Sequence, residues 1–61
     1  MTAEEKLIEI QKAFDYAAWY LEENGRDEWV DAHAWHIVSF TVNFIMNENK
    51  TFDEAFKKLR N

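Results

Sequence analysis

One glycine, Gly25, and no proline interrupt a chain of 61 residues. Tight turns lean on these two residue types, glycine for positive φ and proline for a preset φ. A meander of short strands would need many of them. The sequence therefore predicts a few long elements with short connections. Cysteine is absent too, so no disulfide staples the fold. A domain of this length buries only about 60% of its unfolded surface, and chains this short often draw stability from a partner.

Helix punctuation is plain at both ends of the sequence. Thr2 and Glu5 spell T-x-x-E, a capping box in which each side chain satisfies an orphan N–H. Asn24-Gly25 supplies a stop, with Gly25 suited to a left-handed C′ position. Between them Ala3, Leu7, Ile10, Phe14, Ala17, Ala18 and Leu21 recur at three- and four-residue steps and form one apolar stripe. Glu4, Gln11, Asp15 and Glu22 lie on the polar side. Helix 1 is expected over about residues 3–24. Thr51 and Glu54 form a second capping box. Phe52, Ala55, Phe56 and Leu59 make the matching stripe, and Lys57, Lys58 and Arg60 suit the negative C-terminal end. Helix 3 is expected over about 52–60.

The middle segment admits two readings. From Val38 to Phe44, apolar and polar residues alternate as in a half-buried strand. No second strand is in sight, and a lone strand leaves its backbone groups unpaired. As a helix over about 28–48, with Asp27 as N-cap, the segment is apolar nearly all round. Trp29, Val30, Ile37, Phe40 and Phe44 fill one side; Trp35, Val38, Val42, Ile45 and Met46 continue behind. Only Ala32, His36, Ser39 and Asn43 leave a narrow polar lane. A helix of this kind is a buried one. The helical reading is favoured, and the expected architecture is all-α: two long helices in a hairpin, a short third, and helix 2 central.

Charge narrows the partners. The formal net charge is −5, and nine of the acids fall in residues 1–31 against three bases. Such a chain repels phosphate, so direct nucleic-acid binding is not expected. It attracts basic protein surfaces. The longest mostly apolar run, Trp35 to Met46, is short of the roughly 20 residues that span a bilayer, and Thr2-Ala3-Glu4-Glu5 lacks a signal-peptide character. A soluble, cytoplasmic chain without membrane contact is the expectation.

Chemistry-bearing constellations are sparse. His33 and His36, three apart, could share a metal on one helix turn. No carboxylate joins them as a third ligand, so no metal is expected. His36 falls in the polar lane, and His33 at the edge of the core. Ser39 is three residues from His36, without a recognisable oxyanion site. No phosphate-binding glycine loop occurs. Neither an enzyme nor a cofactor is expected.

Ten aromatics in so short a chain are more than three helices can cover. Monomers rarely leave large apolar patches unpartnered. Ile8, Tyr16, Trp19 and Tyr20 fall outside the helix 1 stripe and are the expected apolar contacts. Glu22, Glu23, Asp27, Glu28 and Asp31 form an acidic corner opposed only by Arg26. They either meet a basic partner or simply serve helix ends and solvent. The resulting expectation is a homodimeric, acidic, non-enzymatic protein-binding module. It would act as an adaptor or as a phage-type inhibitor that occludes a partner's surface. The alternatives are an acidic mimic of nucleic acid and a purely structural self-assembling subunit.

Overall fold

The computed structural model describes residues 1–61. Three α-helices and no strand make up the fold: α1 Ala3–Asn24, α2 Glu28–Glu48 and α3 Phe52–Arg60. The alternating stretch Val38–Phe44 lies wholly inside α2. No helix is long and apolar enough to cross a membrane.

Local chemistry sets the helix starts. Thr2 Oγ1 accepts the Glu5 N–H at 3.1 Å, and Glu5 Oε1 accepts the Thr2 N–H at 2.9 Å. Thr51 and Glu54 repeat the exchange at 3.2 Å in each direction. Asp27 Oδ1 accepts the Val30 N–H at 2.9 Å. The stops differ from one another. Asn49 ends α2 in the left-handed region, φ 56 and ψ 37, as a C′ residue does. Gly25 has positive φ, 80, but ψ 169. It is not the left-handed cap that its place suggested. It occupies an extended region open essentially to glycine alone.

Contacts between the long helices run in opposite directions along the chain, so α1 and α2 lie antiparallel. Lys6 Nζ donates to the Met46 carbonyl at 3.3 Å, Ala13 packs with Ile45, and the Tyr20 ring meets His33 at 5.2 Å. Ala13, Ile45 and Phe52 form one buried cluster, flanked by Ile10, Tyr16, Val42 and Phe56. Ala17, Ala34 and Val38 form a second, flanked by Tyr20, Leu21 and Val42. Alanine at the helix crossing lets the backbones approach closely. Thr41 is the one buried polar residue; its hydroxyl donates to the Ile37 carbonyl at 2.7 Å.

Two expectations about burial are corrected. The α1 stripe does not face inward as a whole: Ala3, Leu7, Phe14 and Ala18 are exposed, and Ala13, outside the stripe, is fully buried. The aromatic residues of α3 draw the inward line of α1 toward Ala13 and Tyr16. Nor is α2 buried all round. Trp29, Trp35 and Met46 are 86%, 67% and 49% exposed, because two further helices cannot cover its whole circumference.

The junctions are tied by α1. Glu9 Oε1 accepts the N–H of Phe52, the first residue of α3, at 2.8 Å. Glu9 Oε2 also pairs with Lys12 Nζ at 3.0 Å, the only ion pair in the molecule. An acid thus meets the positive end of α3 and Lys6 meets the negative end of α2, each matching the helix dipole.

Candidate protein-binding surface

α3 sits on one side of the α1–α2 pair. Its Phe52 and Phe56 rings lie 5.9 and 4.7 Å from Tyr16. At 100° per residue, Phe14 points about 160° away from Tyr16 around α1. Leu7, Phe14 and Leu21 fall within about 40° of one another there, as do Trp35, Val42 and Met46 on α2. These residues share the side that α3 leaves uncovered. Leu7 is 65% exposed, Phe14 50%, and Trp35 and Met46 as given above. Two shallow depressions meet across Phe14, Trp35 and Val38; one extends to Arg26 and Asp31, the other to Asn43 and Met46. A mostly apolar face therefore runs along both long helices, edged by His36, Ser39 and Asn43.

The residues expected to bind a partner are dispersed. Ile8 and Trp19 are exposed, but eleven helical positions, about 16 Å, separate them along α1. Tyr16 is half-buried between Trp19 and the α3 aromatics, where it holds α3 in place. Tyr20 is half-buried against His33. Glu22, Glu23, Asp27, Glu28 and Asp31 are all exposed, and neither they nor Arg26 form an ion pair. Asp27 serves as N-cap of α2. Asp31 alone of the five borders the apolar face.

His33 and His36 are both exposed. His33, expected at the edge of the core, is exposed and packs on Tyr20. No group of three metal-ligating side chains occurs in the molecule.

Three carboxyls are held below their ordinary value of 4.5, each first by a backbone N–H at a helix start. Thr2 lowers Glu5, Phe52 lowers Glu9 with help from Lys12, and Thr51 lowers Glu54. All three serve helix ends, and none borders the apolar face.

Leu7, Phe14, Trp35 and Met46 were not among the expected contact residues. Leu7 and Phe14 read as part of the inward stripe of α1, and the stripe does not say which of its edges faces solvent. No known protein family, no curated protein and no solved structure matches the chain.

Proposed function

We propose that the chain is a small, acidic, non-enzymatic protein-binding module, working through the uncovered face of α1 and α2. The observation that carries this reading is the exposure of Leu7, Phe14, Trp35 and Met46 on the side of α1 and α2 that α3 leaves uncovered. Large apolar side chains gathered in this way mark interaction sites on soluble proteins, and tryptophan, phenylalanine and methionine are enriched at interfaces. The acidic residues Glu22, Glu23 and Asp27 lie outside this face, and Glu28 stands at its end in line with Trp35. They favour encounter with basic partner surfaces and disfavour phosphate. An adaptor and an occluding inhibitor would both use these features.

The test is comparative capture from cell extract with the immobilised chain and a Phe14→Glu/Trp35→Glu variant, read by mass spectrometry. A binding module loses its partner in the variant. The same partner retained by both, or none retained by either, counts against the reading.

A further inference from the structure

We infer that the recess where the three helices meet binds a small monoanionic carboxylate carrying one aromatic ring. The recess lies on the α3 side of the molecule and shares only His36 with the edge of the apolar face. The inference stands whether or not that face binds a protein.

Each helix contributes to the recess. Tyr16 comes from α1, His33, His36 and Ile37 from α2, and Phe56, Leu59 and Arg60 from α3. Phe52 packs with Ile45, and α3 then runs back along α2 until its last turn reaches the histidine pair. The floor is apolar. Ile37 is buried, and Phe56 and Leu59 are half-buried. The Tyr16 and Phe56 rings meet at 4.7 Å and 52°, a tilt that offers a third ring both an edge and a face. At about 250 Å³ the recess is smaller than the sites of drug-sized ligands, about 300–1,000 Å³. It suits a single ring.

The rim is basic. His33, His36 and Arg60 are exposed there and no carboxylate lines the recess, although the chain has 12 acids against 7 lysines and arginines. Glu9 and Glu23 stand seven residues from Tyr16, and Asp53 seven from Arg60, each about 10 Å away along its helix. The depression beside Lys50, Lys57 and Lys58, by contrast, carries Glu48 and Glu54. The donors of the recess are also unspent. The Tyr16 hydroxyl, both imidazoles and the Arg60 guanidinium make no hydrogen bond within the chain, and the one ion pair lies elsewhere, between Glu9 and Lys12. The Arg60 guanidinium stands 5.9 Å over the Phe56 ring, a cation–π contact that leaves its N–H groups free. A planar carboxylate matches that fork, and its ring then settles on the floor. A monoanion is preferred to a phosphate dianion because the chain's charge of −5 opposes every added negative charge.

Phenylacetate is the probe, titrated into the full chain and followed by amide NMR and calorimetry. Saturable shifts are expected at His33, Ile37, Phe56 and Arg60. Phenylacetamide, which lacks the charge, and acetate, which lacks the ring, should each bind about tenfold more weakly or worse. Arg60→Gln should weaken phenylacetate about tenfold, and His33→Gln should weaken it as well. Lys57→Gln removes the same charge from the same helix outside the recess and should change nothing. If Arg60→Gln unfolds, the comparison of phenylacetate with phenylacetamide decides on the unaltered protein. No saturable shift at millimolar ligand, or shifts centred on Phe14 and Trp35, would overturn the inference. So would equal binding of phenylacetamide or inorganic phosphate, or equal losses in Lys57→Gln and folded Arg60→Gln.

Discussion

Glu9 in α1 accepts a hydrogen bond from the backbone N–H of Phe52, 43 positions later, at 2.8 Å. This carboxylate fixes the start of α3 to the flank of α1. Glu9→Ala leaves the Phe52 N–H without its partner, and a lost hydrogen bond to a charged group costs about 1–2 kcal/mol. Chemical denaturation should show that loss. Hydrogen exchange should quicken first at Phe52 to Ala55, while α1 and α2 keep their protection.

Acid should destabilise the fold through the same residue. The carboxyls of Glu5, Glu9 and Glu54 all lie below 4.5 in the folded chain. A depressed folded value means that the native state binds the proton less readily than the unfolded one. The stabilisation is complete above 4.5 and is lost as pH falls through the folded values. Thermal midpoints should hold steady from neutral pH down toward 4.5 and decline below it. Glu9→Gln should make that decline shallower, and an unchanged slope would contradict the assignment.

Gly25 is constrained by its backbone and not by its neighbours. A Cβ there would meet nothing within 4 Å, yet φ 80 with ψ 169 is strained for any side chain. Gly25→Ala is expected to cost about 1–3 kcal/mol. Asparagine, which tolerates the left-handed helical region, should not rescue it, because ψ lies far from that region. Equilibrium unfolding of both variants decides the matter.

Asn49 presents the opposite case. It sits in the left-handed helical region, where glycine is the preferred C′ residue. Asn49→Gly should be neutral or stabilise by about 0.5 kcal/mol, and Asn49→Val should destabilise by about 1–2 kcal/mol. Paired melting curves against the parent protein would distinguish these outcomes.

Ala13 and Ala18 separate the two sides of α1. Ala13 is fully buried in the cluster with Ile45 and Phe52, so Ala13→Leu overpacks that cluster and costs about 1–3 kcal/mol. Ala18 is exposed, and Ala18→Leu should leave the stability of a single chain within about 0.5 kcal/mol. Equal losses at the two sites would mean that the inward line of α1 is wrongly placed.

What the sequence disclosed was mainly local. Thr2 with Glu5, Thr51 with Glu54, and Asp27 are read within four residues of themselves, and each helix starts where they place it. Three-dimensional choices were less legible. Periodicity gathered Leu7, Ile10, Phe14 and Ala17 into one stripe, but it does not say which edge turns inward. That depends on Phe52 and Phe56, some 40 residues away in sequence, packing on Tyr16. Alanine, a small residue, hid the inward line at Ala13. The exposure of Glu22, Glu23, Asp27, Glu28 and Asp31 follows from their charge alone. The apolar face was not legible, since it combines residues from two helices.

The twin ties from α1, Lys6 to the Met46 carbonyl and Glu9 to the Phe52 N–H, have a temporal consequence. During synthesis α1 leaves the ribosome before either tie has its second half. A nine-residue helix too short to persist unaided can therefore be anchored only once Phe52 follows Glu9 out.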